Sequence, residues 1–178
     1  MKQLAAYIGT AAVLLLSGLV SAAIAEPARQ SRYTDLSTCK VVESQEDEGG
    51  FTRSSCMGLG GYTLEVFDDG ARENIFVITP NGQKHSLQLP SRLGGGFNTL
   101  GNTIEWRGSV EGDTLRPSAM IVRAKVVEDP NQPERPTSYL LVVSLSGHPC
   151  LVTKIAPGPN QNERARAAAD GKLVCLPE

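Results

Sequence analysis

Met120-Ile-Val-Arg-Ala-Lys-Val-Val-Glu128 is the stretch that decides the fold of this chain. Its apolar residues alternate with Arg123 and Lys125, and this period of two is typical of a β-strand with one face toward a core. The next segment, Asp129–Thr137, contains three prolines and is predicted to be an exposed hairpin loop. Ser138–Ser146 is then the returning strand. The residues predicted to face the core are Met120, Val122, Ala124 and Val126.

Apolar stretches separated by turn signals continue on both sides of this hairpin. The predicted strands there are Tyr62–Phe67, Asn74–Thr79, His85–Leu89, Thr103–Arg107 and Cys150–Ile155. Residues 26–34 are predicted to be a loose lead-in, and Pro90–Asn102 an irregular connection. The pattern therefore predicts a mainly β fold, a small antiparallel barrel or sandwich of about seven or eight strands.

One helix is predicted near the C-terminus, over Asn160–Asp170. The Pro157-Gly-Pro159 segment ends the strand pattern before it, and four alanines within it favour helix. Asn160 and Glu163 have the spacing of a capping box, and Gly171 stands where a helix often ends on glycine. The fold class is thus β-rich with one C-terminal α-helix.

The first 25 residues have the pattern of a cleaved secretory signal peptide. Lys2 precedes an apolar run from Leu4 to Val20, and Ala23-Ile24-Ala25 is a small-residue cleavage motif. The alternative is an uncleaved membrane anchor, because the run is close to the length of a spanning helix. With cleavage, residues 26–178 are predicted to form a single β-rich domain in the periplasm or outside the cell.

The charge of the chain limits the classes of partner. A net charge of −2 at pH 7 gives no basic footprint for nucleic acid. No second apolar run follows the leader, so no membrane insertion is predicted after its cleavage. The remaining partners are an unidentified protein or a cell-envelope component.

All four cysteines, Cys39, Cys56, Cys150 and Cys175, lie beyond the leader, where disulfides persist in an oxidising compartment. Four cysteines allow three pairings. We favour the local pairing, Cys39 with Cys56 and Cys150 with Cys175. A zinc site needs closely spaced Cys or His ligands, and this chain has no such spacing.

Several short segments are similar to segments of one protein family. They are Tyr33-x-x-Leu36 before Cys39, Phe97-Asn-Thr-Leu-Gly101, Glu105-Trp-Arg107, and a tail from Cys150 through Asn160-x-x-x-x-Ala165 and Ala169-Asp170 to Cys175. Together they resemble small secreted periplasmic proteins of alphaproteobacteria, over most of the mature chain. The resemblance implies a periplasmic location and cysteine pairing within each half of the chain. It implies no activity, ligand or site.

No residue set predicts a catalytic, metal or cofactor site. His85 and His148 are the only histidines, and the nucleophile motif G-x-S-x-G is absent. The acidic segment from Glu43 to Glu48 lacks the alternation of a calcium loop and is predicted to be solvated. Gly94-Gly95-Gly96, near Arg92, lacks the Lys-Ser/Thr and the following helix of a phosphate loop, which favours a flexible connection.

Trp106, Arg107 and Tyr62 are the residues most suited to an interface anchor, since Trp, Tyr and Arg are enriched in such positions. The residues predicted to take part in surface binding are Arg92, Trp106 and Arg107. If Trp106 instead points inward, Glu105 and Arg107 would point outward and could pair with charges on a neighbouring element. The sequence predicts a non-enzymatic protein with a binding or accessory role.

Two other functions remain open from the sequence. One is an inhibitor of a hydrolase, such as a lysozyme or a protease, that inserts the loops Arg92–Asn102 and Asp129–Thr137 into a cleft. The other is a hydrolase with a carboxylate pair, because two acidic side chains can meet in a fold without any spacing rule.

Overall fold

The computed structural model describes residues 29–45 and 50–177. The predicted leader, residues 1–25, lies outside this range, as do Glu46, Asp47 and Glu48 of the acidic segment. Within the described residues, no helix is both long enough and apolar enough to cross a membrane.

Ten strands form two antiparallel sheets in the described part of the chain. The strands are β1 (Gln30–Asp35), β2 (Lys40–Gln45), β3 (Phe51–Met57), β4 (Thr63–Asp68), β5 (Glu73–Ile78), β6 (Lys84–Ser86), β7 (Asn98–Glu111), β8 (Thr114–Val126), β9 (Thr137–Ser144) and β10 (Cys150–Ile155). Sheet 1 has the order β1-β7-β8-β9-β10, and sheet 2 has the order β2-β3-β4-β5-β6. The helices are α1 (Leu89–Arg92) and α2 (Gln161–Asp170), and a 3-10 turn spans Leu36–Thr38.

The mainly β class and the C-terminal helix are confirmed, but the predicted count of seven or eight strands was too low. The chain also forms two five-stranded sheets and not a single barrel. The three N-terminal strands were missed for two reasons. β1 and β2 lie at sheet edges and expose most of their side chains, and β3 has five half-buried positions in a row in place of an alternation. Such strands do not need the apolar alternation that predicts a strand. The predicted lead-in thus contains β1.

Strand β7 is much longer than the predicted Thr103–Arg107. It begins at Asn98, inside the predicted irregular connection, and its register with β8 shifts between Leu100 and Ile104. That irregularity interrupts the period of two, which hides the first half of the strand from pattern analysis. The strand predicted over His85–Leu89 ends at Ser86, and α1 begins at Leu89.

The main core lies between the two sheets. Sheet 1 contributes the side chains predicted to face inward on β8, and all four are buried. Sheet 2 contributes Leu64, Ile75 and Val77, which have no exposed surface. The two sheets therefore bury apolar faces against each other, as in a β-sandwich.

Helix α2 covers the opposite face of sheet 1. Ala165 and Ala169 pack on Ile121, Leu140 and Val142 in a second buried cluster. The middle strands of sheet 1 are consequently buried on both faces. β9 is buried at six of its eight positions for this reason.

The helix bounds agree with the prediction, but the predicted caps do not form. Asn160 has φ 54° and ψ 34°, and its side chain accepts no capping hydrogen bond. Gly171 has φ −86°, outside the left-handed region that favours glycine at a helix end. Contacts with sheet 1 must therefore hold the helix in place of caps.

Two arginine–carboxylate pairs fasten α2 to β7. Arg107 donates from Nε to Asp170 Oδ1 at 3.0 Å and from Nη2 to Asp170 Oδ2. Arg166 donates to Glu105 through Nε at 2.7 Å and Nη2 at 3.1 Å. Both pairs are two-pronged, which is the strongest geometry for this type of contact. The expected pairing of Glu105 and Arg107 with a neighbouring element is confirmed.

Both predicted disulfides are present, Cys39–Cys56 and Cys150–Cys175, with Cα–Cα distances of 4.5 and 5.6 Å. The first joins the segment between the two sheets to β3. The second joins the tail after α2 to the start of β10, as expected. Leu176 N also donates to Leu151 O at 2.9 Å, so the tail is held beyond the bridge.

A double-mutant cycle separates the Arg107–Asp170 pair from an ordinary surface ion pair. With side-chain exposures of 11% and 31%, the pair should show a coupling energy of about 1–2 kcal/mol in urea unfolding of the alanine variants. The matched control is Arg116–Glu111, whose side chains are 66% and 61% exposed and whose coupling should be close to zero. Equal coupling in the two pairs would contradict this account.

Removing the C-terminal bridge should free the tail and lower stability. The bridge closes a loop with a sequence separation of 25, so its loss in the Cys150→Ala, Cys175→Ala variant should cost about 3–4 kcal/mol in the chain-entropy model. Urea unfolding measures the loss of stability.

Peptide mapping of the wild-type protein without reductant should recover Cys39 linked to Cys56 and Cys150 linked to Cys175. Crossed pairs or four free thiols are the contrary results.

Candidate functional site

Trp106 is a core residue and not a surface anchor. It has no exposed surface, its Nε1 donates to Thr34 Oγ1 at 2.9 Å, and its ring lies 6.2 Å from the ring of Tyr62. A Cβ at Gly58 would lie 2.7 Å from Trp106 Cη2, so glycine lets the chain approach the indole closely. The predicted surface role for Trp106 was therefore wrong.

Arg107 is not a surface residue either. Only 9% of it is exposed, and its guanidinium is bound to Asp170 and to Ser31 Oγ, the latter at 2.8 Å. The prediction that it lies in a binding surface was wrong because α2 covers that face of β7. Of the three predicted surface residues, Arg92 alone remains available, since it is only half-buried.

Arg92 lies in a groove of about 780 Å³ that we call the loop groove. One wall is the segment from Arg92 to Phe97, and the other is formed by Val127, Glu128 and Pro130, where β8 leads into the proline-containing loop. The groove therefore lies between the two loops, Arg92–Asn102 and Asp129–Thr137, that an inhibitor would insert into a cleft. Arg72 and Lys154 line the same groove.

A second, apolar pocket of about 290 Å³ adjoins the loop groove, and we call it the proline pocket. Phe97 lines both cavities and is 46% exposed. The remaining wall of the proline pocket includes Val127, Pro133 and Pro136 together with Lys125. The two cavities thus form one continuous surface on either side of an exposed aromatic ring.

A buried asparagine fixes this end of the sandwich. Asn98 donates from its backbone N to Ala71 O and from Nδ2 to Glu73 O, both at 2.8 Å. These bonds tie the start of β7 to Ala71, just before β5, and to Glu73, the first residue of β5. The backbones of Arg72 and Asn98 also form an isolated parallel β-bridge there. The contact places the guanidinium of Arg72 over the ring of Phe97, 4.8 Å from its centroid.

The glycine segment beside Arg92 ends a helix and does not cradle an anion. Gly95 N donates to Pro90 O at 2.7 Å, and Gly94 N donates to Ser91 O at 3.3 Å. Gly94 and Gly95 have positive φ, 100° and 76° respectively, which lets the chain reverse after α1. Because these N–H groups are already used, charge recognition in the loop groove depends on side chains.

The cavity next to α2, of about 350 Å³, is a weaker candidate. Its walls include Glu105, Arg123 and Arg166. Arg166 and Glu105 bind each other, and Arg123 Nη1 donates to Ser138 Oγ at 2.8 Å and Gln161 Oε1 at 3.2 Å. The charges there hold the helix and are not free for a ligand.

Asp68 and Glu73 line a smaller pocket of about 180 Å³. Two carboxylates in one pocket are what the carboxylate-pair hydrolase requires. Asp68 and Glu73 are directly opposite on β4 and β5. Burial raises the pKa of Glu73, a hydrogen bond from Leu100 N offsets part of the rise, and the charge of Asp68 adds to it. A carboxyl of raised pKa beside a second carboxyl is a pattern of acid–base catalysis, but here the Glu73 carboxylate accepts a hydrogen bond from Leu100 N.

The two histidines meet although they are far apart in sequence. His85 lies on β6 and His148 in the turn before Pro149, with ring centroids 4.3 Å apart in an edge-to-face arrangement. Burial lowers the pKa of His85, and His148 lowers it further. In residues 29–45 and 50–177, no three His, Cys, Asp or Glu side chains are grouped closely enough to hold a metal ion.

Burial of Glu73 should make stability fall as pH rises. Its folded-state pKa is raised, so the stabilising protonated form is lost from about pH 4 upward, and Glu73→Gln should remove that part of the pH dependence. Glu128 is the matched control, because hydrogen bonds from Tyr139 and Thr137 lower its pKa and its contribution is lost as pH falls. Urea unfolding of the wild type and of both Gln variants across pH gives the change in the free energy of unfolding that each substitution causes. If the two changes varied with pH in the same direction, these assignments would be contradicted.

Comparison with known proteins gives no functional assignment. No protein-family model matches the chain, and no curated protein or solved structure is significantly similar to it. The resemblance to secreted alphaproteobacterial proteins stays a prediction from its short segments. The case for function therefore depends on the geometry of the loop groove and the proline pocket.

Proposed function

We propose that this is a secreted periplasmic protein without enzymatic activity, which binds a protein or a cell-envelope component through the loop groove and the adjoining proline pocket. The observation that carries the proposal is the meeting of the two surface loops around Phe97, an exposed aromatic ring. Exposed aromatic and arginine side chains beside a concave surface are typical of binding sites.

The periplasmic location is supported by the leader and the disulfides. Two bridges link all four cysteines, which suits an oxidising compartment. In such a compartment the Cys150–Cys175 bridge holds the tail beside the groove, where Arg92 Nη1 donates to Pro177 O at 3.2 Å.

A hydrolase inhibitor is the second candidate. It is favoured because hydrogen bonds within the exposed hairpin loop hold that loop in one conformation. Asp129 accepts hydrogen bonds from Asn131 N at 2.9 Å and Gln132 Nε2 at 3.0 Å, and Arg135 N donates to Gln132 O at 3.0 Å. With three prolines in addition, the loop should lose little conformational entropy on entering a cleft.

Site-specific crosslinking in the cells that make the protein tests the proposed binding surface. A photo-crosslinking amino acid at Phe97 should give one discrete adduct, because that side chain stands between the two cavities. The matched control is Asp113, an exposed position in the β7–β8 turn at the other end of β7, where no adduct is expected.

The same experiment separates the candidates. A third photo-crosslinking position, Asn131, lies in the exposed hairpin loop. An adduct of that position with a hydrolase, together with loss of the hydrolase's activity when the purified protein is added, would support the inhibitor. Adducts from Asp113 alone, or none from Phe97 and Asn131, would overturn binding through this surface. Turnover of a substrate that is lost in Glu73→Gln would favour the carboxylate-pair hydrolase.

A further inference from the structure

Three cationic side chains in the loop groove have no carboxylate partner. Arg72, Arg92 and Lys154 come from separate segments, and among residues 29–45 and 50–177 none of them has a carboxylate oxygen within 4 Å. By the same criterion, Arg53, Lys84, Arg107, Arg116 and Arg166 are paired. Other described cations, such as Lys40 and Lys172, are also unpaired, but the groove brings three unpaired cations into one cavity. A protein with net charge −2 thus presents a local cationic groove.

The one acidic residue of the groove is already engaged. Glu128 accepts hydrogen bonds from Thr137 Oγ1 at 2.7 Å and from Tyr139 OH at 2.5 Å. Lys154 lies over the ring of Tyr139, 4.3 Å from its centroid, and is not bridged to Glu128. The groove keeps a positive excess that a ligand with several negative charges would neutralise.

The groove does not stand alone, because the proline pocket continues it past Phe97. On the groove side of the ring are the three cations, and Val127 lines both cavities. The pocket side adds Pro133, Pro136 and a fourth cation, Lys125. A ligand that covers both sides must therefore carry negative charges next to an apolar group.

We propose that the surface binds an acidic segment of a partner protein, with carboxylates in the loop groove and an adjacent apolar side chain in the proline pocket. The inference rests on the proposed binding function and names the chemistry of its partner. Arg72 offers a fork-shaped donor that matches a carboxylate, and Lys154 adds a point charge. Arg92, whose Nη1 donates to Pro177 O at 3.2 Å, contributes its charge and its remaining N–H groups. The apolar side chain gains from burial against proline and aromatic carbon.

Two other anionic ligands fit the surface less well. A phosphate group is favoured by free backbone N–H groups, and those of Gly94 and Gly95 are used to end α1. An acidic polysaccharide is favoured by an open aromatic face for a sugar ring, but Arg72 covers one face of Phe97. The apolar pocket adds nothing to either ligand.

Selection of short random peptides on the mature, disulfide-bonded protein tests the inference. Enriched peptides should contain acidic residues followed or preceded by an apolar residue, and their affinity should fall as salt is raised. The variant Arg72→Glu, Lys154→Glu should weaken the selected peptide by about tenfold or more, since each change replaces an attraction with a repulsion. Arg116→Glu makes the same type of charge change at the far end of sheet 1 and should have no effect.

Two substituted versions of the selected peptide test the acidic and the apolar parts of the ligand separately. Replacing the carboxylates with amides should mimic the charge-reversal loss, and replacing the apolar residue with glycine should weaken binding in the wild type and the Arg116→Glu control alike. Enrichment without acidic residues, or unchanged affinity in Arg72→Glu, Lys154→Glu, overturns the inference. Tighter binding of polygalacturonate or inorganic phosphate than of the peptide also overturns it.

Failure of this inference is distinguishable from failure of the proposed function. If crosslinking from Phe97 still captures a partner while charge reversal leaves the adduct unchanged, the surface binds but not through an acidic segment. If no adduct forms from Phe97, the surface itself is not the binding site.

Discussion

The alternation of side chains at Glu105-Trp106-Arg107 on β7 is the constraint on which the rest of the structure depends. Trp106 points into the core between the sheets, while its two neighbours point to the opposite face and bind α2. A shift of one residue would place two charges in the core and the indole under the helix. The three-residue pattern therefore fixes the register of β7 and the position of the helix together.

This constraint also determines where binding can occur. While α2 and sheet 2 pack on the two faces of sheet 1, the loop groove and the proline pocket lie at the end of the sandwich where β7 begins. Asn98 joins the sheets there and sets Phe97 beside Arg72. The loops that carry the groove are thus placed by the same strand that organises the core.

Much of the fold follows from local patterns, and much of the candidate site does not. The inner face of β8, the C-terminal helix and both disulfides were predictable because each depends on residues close in sequence. The polar edge strands β1 and β2 and the irregular start of β7 carry no such periodicity. Arg72 and Lys154 were missed because only tertiary structure brings them to Arg92.

The fluorescence of Trp106, the only tryptophan in the chain, tests the central constraint most directly. With no exposed surface, the indole should emit at short wavelength and resist acrylamide quenching in the native, disulfide-bonded protein. Urea should shift the emission to longer wavelength and expose it to the quencher in one transition. Long-wavelength emission and ready quenching in the native state would contradict the proposed register of β7.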